Sequence, residues 1–170
     1  MKMALPDIIA NPGTFDADAT FWLKAAQAAI RRECGWHVTP NTELAGVINS
    51  RGGLILRLPA RHITSIDTLT DRNGTPLSYI NDPETGLLES TDGPWPTGIA
   101  AIHYRIHAGY DPDECTDLQG VLINVAKRAA TASAGVITSQ SVNGSSVSYN
   151  VSLMTDEVAK LNRYKLGPLP

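Results

Sequence analysis

The chain has 170 residues, of which 42% are hydrophobic, a length and composition suited to one domain with its own core. Charged residues make up 18%, below the roughly 25% usual in soluble domains, so the chain either buries more surface or presents neutral surface to partners. A net charge of −3 with no long basic run argues against an autonomous duplex-binding protein, and no stretch approaches the ~20 apolar residues of a membrane span.

Residues 1–15 read as an extended N-terminal arm, because Pro6, Pro12 and Gly13 interrupt regular structure. The same prolines and Asp7 break any apolar run, so this start does not read as a signal peptide. Asp16 or Asp18 opens a helix running to about Glu33. Its apolar face uses Trp22, Ala25, Ala26, Ala29 and Ile30, and the alanines allow close approach of another helix. Gly35 ends it.

From Trp36 to Tyr110 the periodicity becomes alternating, which predicts about six short antiparallel strands. Segments 43–48 and 54–58 flank Ser50-Arg51-Gly52-Gly53, read as a hairpin turn. Ile63, Ile66 and Leu69 are spaced by three in a Thr-rich strand, which suggests a bulge. Asn73-Gly74 and the Asp82–Gly86 segment are turns, and Gly93-Pro94-Trp95-Pro96 is a rigid loop. The clearest strand is 99–107. There Ile102, Tyr104 and Ile106 face one way and His103, Arg105 and His107 the other.

The segment Asp117–Ser133 has helical spacing, with Leu118, Val121, Leu122, Val125, Ala126 and Ala129 on one broad face. Thr116 or Asp117 is placed to cap it. Ile123 and Ala130 are apolar but fall off that face, which makes them candidate subunit or partner contacts. From Ala129 to Thr155 no residue is charged. Within that stretch Val147, Tyr149, Val151 and Leu153 alternate with polar residues, the spacing of a β-arm suited to strand addition on another chain. A flexible linker is the plainer alternative. A short helix, with Thr155 as cap, closes the chain before Gly167-Pro168.

The expected fold class is therefore α+β. A small helical unit of three main helices (16–35, 111–134 and 155–166) carries an inserted antiparallel β sandwich or barrel-like unit (36–110). An extended uncharged arm or hairpin spans 135–154.

Chemistry is hard to find in this sequence. His103 and His107 share a strand face, but four residues at about 3.3 Å each separate them by roughly 13 Å, too far for two ligands that must each lie within ~2.1 Å of one zinc. The acidic run DPDECTD lacks the spacing of a calcium loop and precedes a helix, where the dipole favours acids. No serine has a nucleophile-elbow motif. Cys34 and Cys115 form neither a disulfide framework nor a metal pattern and read as reduced thiols of a protein made in the cytoplasm. No catalytic residue, metal site or cofactor is expected. Trp36, Trp95 and Tyr104 leave open a small β-rich module that binds carbohydrate or protein without catalysis.

Three passages carry a resemblance. AAQAAIRRECGWHV is an alanine-rich helix ending in a Cys-Gly-aromatic step. HYRIHAGYDPDECTDLQGVLINVAKRAA runs strand, Ala-Gly-Tyr, acidic loop, long helix. SQSVNGSSVSYNVSLMTDEVAKLNRYKLG joins an uncharged arm to a closing helix and an Arg-Tyr finish. In this order they resemble the bacteriophage head–tail connector (adaptor, head-completion) proteins over about residues 20–166. The resemblance implies a virion protein at the head–tail interface, made in the host bacterial cytoplasm and without catalysis. It implies a homo-oligomeric ring, commonly dodecameric, below the portal protein. Such a ring extends the channel for packaged DNA, without sequence-specific contact or membrane, and meets a downstream tail-side protein. It assigns no channel-lining residue.

Overall fold

The computed structural model describes residues 17–135 and 151–168. The described chain is α+β. Helix α1 (Ala17–Cys34) is followed by strands β1 (Thr42–Ser50), β2 (Ile55–Arg57), β3 (Ile63–Asp71), β4 (Tyr79–Asp82), β5 (Leu87–Ser90) and β6 (Gly98–Ala108). A 3-10 turn (Pro112–Cys115) leads into helix α2 (Thr116–Gly135). Helix α3 (Thr155–Leu161) and a second 3-10 turn (Asn162–Tyr164) close the chain. The predicted 1–15 arm and most of the 135–154 arm, including Val147 and Tyr149, lie outside the described residues.

Helix α1 buries Trp22, Leu23, Ala26, Ala29, Ile30 and Cys34, and packs on α2 through the small residues among them. Gly35 ends it in the left-handed region, with its N–H donating to the Arg31 carbonyl. On α2, Leu118, Val121, Leu122, Val125 and Ala126 are buried as the spacing required. Two caps differ from expectation. The 3-10 turn runs straight into α2, so Thr116 and Asp117 are already helical, and the Asp111 N–H donates to Glu114 instead. In α3, Thr155 is the first helical residue; Met154 holds the cap position and its N–H donates to Glu157 Oε2.

The strands form two three-stranded antiparallel sheets, β1-β6-β3 and β2-β5-β4. On β6, Ile102 and Ile106 are buried while His103 and Arg105 are exposed, the predicted alternation. The spacing of three in β3 is accommodated by register shifts between Ile63 and Ser65 and between Ile66 and Thr68. The Asp82–Gly86 turn joins β4 to β5.

The turn at 50–53 is not a hairpin. β1 pairs with β6 and β2 with β5, so the chain changes sheets there. The competing interaction is long-range: the Trp95 backbone N–H donates to Gly53 O and its indole Nε1–H to Leu54 O, both at 2.8 Å. These bonds draw the segment onto the second sheet. Nine-residue β1 finds a full-length partner in eleven-residue β6, which three-residue β2 cannot supply.

One hydrophobic cluster joins the units: Trp95, Leu56, Leu58 and Leu88 from the second sheet, Ile102 and Ile106 from the first, and the inner faces of the helices.

Candidate functional site: the unit junction and the outer surfaces

Parts of the three passages that carry the resemblance meet at one place, where the helices pack on the strands. Trp36, after the Cys34-Gly35 step, is buried, and its indole N–H donates to the Tyr164 carbonyl at 2.6 Å. Tyr164 is buried, and its hydroxyl donates to the Asp117 carboxylate on α2. Burial, with that carboxylate, pushes the phenol well above its ordinary value. Tyr110 stacks on His62 with centroids 4.3 Å apart and meets Tyr164 edge-on at 5.5 Å. Between them Gly109 sits at φ +119; a Cβ there would approach Pro40 O to 2.6 Å and His37 Nε2 to 2.8 Å, so only glycine fits. His37 is buried, with Nε2 3.0 Å from Ala108 O and 3.1 Å from Pro40 O, and burial lowers its pKa. With carbonyl acceptors on both sides, Nε2 carries the proton.

The tail after α3 is held from every side. Arg61 donates to the Arg163 and Lys165 carbonyls at 2.8 and 2.9 Å, and Arg57 to that of Pro168. Lys165 pairs with Glu33 at 2.6 Å, and the Leu166 N–H donates to Cys34 O. The arrangement is a lock between the tail, the strands and α1.

Both cysteines are buried. Burial, first among the causes, pushes Cys34 to about 12 and Cys115 to about 11, so both remain thiols. Trp36 and Trp95 are 6% and 2% exposed, which removes both indoles from any stacking surface for a sugar or peptide; Tyr104 is half-buried. His103 is exposed on β6, and His107 lies beside Asp67 and Glu43 rather than beside His103.

Of the candidate assembly residues, Ile123 and Ala130 are half-buried on α2. Val151 and Leu153 are half-buried against this chain's own core, with Ser152 and Met154 exposed between and after them. Their path is fixed by an ion pair that sequence reading did not find. Arg128 on α2 grips Glu157 with two bonds of 2.8 and 2.7 Å and also donates to the Ser152 carbonyl at 2.9 Å. Glu157 is 5% exposed, and the Arg128 hydrogen bonds hold its carboxyl below the ordinary value.

Among the described residues, the most exposed large apolar side chains are Ile99 at 81% and Ile80 at 63%, and then Phe21, Val47, Met154 and Leu54. Ile80 and Ile55 flank Glu89 in register across the second sheet. For two of the strands the sequence signal was consecutive apolar residues, Val47-Ile48 in β1 and Ile55-Leu56 in β2, which put apolar groups on both faces.

No family model matches the chain, and no curated protein matches it. Solved structures do. A chain from the neck of an empty gene transfer agent (GTA) particle, computed with C6 symmetry, superposes with a TM-score of 0.58 at 18% identity, over 95% of this chain and 83% of that one. A chain from the virion of a native gene transfer agent particle gives 0.58 and 18%, over 95% and 84%. A chain from the neck of a native particle, computed with C12 symmetry, gives 0.52 and 17%, over 99% and 98%. At this identity the likeness is one of fold, and the fold of this chain is that of chains found in the neck and virion of such particles.

Proposed function

We propose that the chain is a structural, non-catalytic protein of the neck of a tailed-phage or phage-like particle. In this reading it assembles as a ring, a dodecamer, below the portal, extends the DNA channel, and offers its other end to a tail-side protein. The observation that carries the reading is the fold likeness to particle-neck chains across 95% or more of this chain. The C6 and C12 symmetries of those particles support a ring. The low charge, the exposed apolar residues on the sheets and the inward-turned aromatics and thiols support protein–protein contact over chemistry. Among the described residues no helix is long and apolar enough to cross a membrane.

Ile123, Ala130 and the arm residues Val147, Tyr149, Val151 and Leu153 are the proposed subunit or portal contacts. The test is co-sedimentation of the chain with its portal ring, with particle symmetry read by electron microscopy. Ile123→Glu is expected to block that assembly and leave the monomer folded. A variant that assembles normally removes Ile123 from the interface, and failure of the unaltered chain to join the portal removes the neck reading.

A further inference from the structure

Glu43 on β1, His107 on β6 and Asp67 on β3 bring one donor atom each to within 4.8 Å of one another, on the outer face of the first sheet. The sheet itself builds the group. Glu43 is the direct cross-strand partner of His107. On the other side β3 pairs Ile66 with Ile106 and Thr68 with Arg105, so Asp67 is the extra residue of a bulge, a device that re-aims a side chain. Ser65 donates to Asp67 Oδ1 at 3.0 Å, and Oδ2 faces His107 Nε2 at 3.5 Å. That separation exceeds the 2.7–3.2 Å of a good hydrogen bond. It is close to the ~3.3–3.4 Å between two ligands that each lie ~2.0–2.1 Å from one tetrahedral ion. Glu43 pairs loosely with Arg105, at 3.9 Å.

We infer that Glu43, Asp67 and His107 form a binding site for a zinc-class divalent cation. One imidazole nitrogen and two carboxylates suit zinc and its neighbours, whereas calcium and magnesium prefer six or more oxygens. The three groups supply three ligand atoms to such an ion, and water would complete its coordination. An ion there ties β1, β6 and β3 together, and because it binds the folded sheet it raises thermal stability by mass action. The inference is independent of the neck reading.

Zinc chloride titrated into the full chain by calorimetry, with the histidine ring resonances followed by NMR, tests it. One ion per chain is expected, perturbing the His107 ring and raising the melting temperature. His107→Gln and Asp67→Asn are each expected to abolish both effects, while His103→Gln, on the same strand face, retains them. Absence of saturable zinc uptake overturns the site, as does uptake that survives His107→Gln or is lost equally in His103→Gln. Calcium binding as tight as zinc and indifferent to His107→Gln also overturns it, since it would mark a pair of surface carboxylates alone.

Discussion

The C-terminal tail and the outer faces of the two sheets handle their surfaces in opposite ways. Along residues 161–168, backbone carbonyls that no strand or helix uses are taken by Trp36, Arg57 and Arg61, and side chains are paired to Glu33 and Asp117. On the sheets, Ile99, Ile80 and Val47 are exposed. Trp36 and Tyr164, from two of the passages that carry the resemblance, build the first region, whereas Val47, Ile80 and Ile99 lie outside all three passages.

If that contrast holds, the largest loss of stability in the lone chain comes from the lock. Tyr164→Ala removes a fully buried ring and its hydrogen bond to Asp117, and is expected to cost about 3–5 kcal/mol in urea unfolding, the range for large aromatics in cores. Tyr164→Phe keeps the ring and loses one hydrogen bond, so about 1–2 kcal/mol is expected. A Tyr164→Ala chain as stable as the parent would mean that the tail merely lies on the surface.

The next effect comes from Arg128 and Glu157. Glu157 is buried and its partner only partly so, which lowers the value of the pair below that of a fully buried one; Glu157→Gln is expected to cost about 1–3 kcal/mol at neutral pH. Because the folded carboxyl titrates below its ordinary value of 4.5, the contribution is complete above that value and is lost as pH falls through the lower folded one. Acid unfolding of the parent should therefore be steeper below pH 4.5 than that of Glu157→Gln. Parallel pH profiles would show that the pair carries no linkage.

The same contrast explains what the sequence disclosed. Local periodicity located α1, α2 and all six strands, and even the β3 bulges, because Ile63, Ile66 and Leu69 must share a face at a spacing that a regular strand forbids. The hairpin expected at 50–53 was wrong because a local turn signal lost to Trp95, more than forty residues away. The lock was illegible for the same reason: Trp36 and Tyr164 are 128 residues apart, and no local pattern announces such a bond. Arg128 and Glu157 are 29 residues apart, and only packing makes them a pair. For the candidate contacts, spacing singled out Ile123 and Ala130, yet the most exposed large apolar groups among the described residues, Ile99 and Ile80, lie on strands β6 and β4.

The smallest effect on the lone chain, and the one that bears most on assembly, belongs to the uncharged arm. Its described end is already docked: Val151 and Leu153 rest on the core and Arg128 holds the Ser152 carbonyl. Val147 and Tyr149 continue the same alternation outside the described residues. Ordering a backbone costs roughly 1–2 kcal/mol per residue, so the four-residue step from Val151 back to Val147 needs a surface that supplies a strand ladder and a pocket. Tyr149, the largest apolar group in the arm, is the expected anchor. Tyr149→Ala should leave urea unfolding of the monomer unchanged within about 0.5 kcal/mol while weakening attachment to the portal. Hydrogen exchange over residues 136–153, free and assembled, should show protection gained at 147–150, with 151–153 already protected before assembly. Equal protection of the whole segment in both states would assign the arm to the subunit's own fold and end the docking proposal. Protection confined to 151–153 in both states would leave Arg128 and Glu157 as the arm's last point of order and return 136–150 to the plainer reading of a linker.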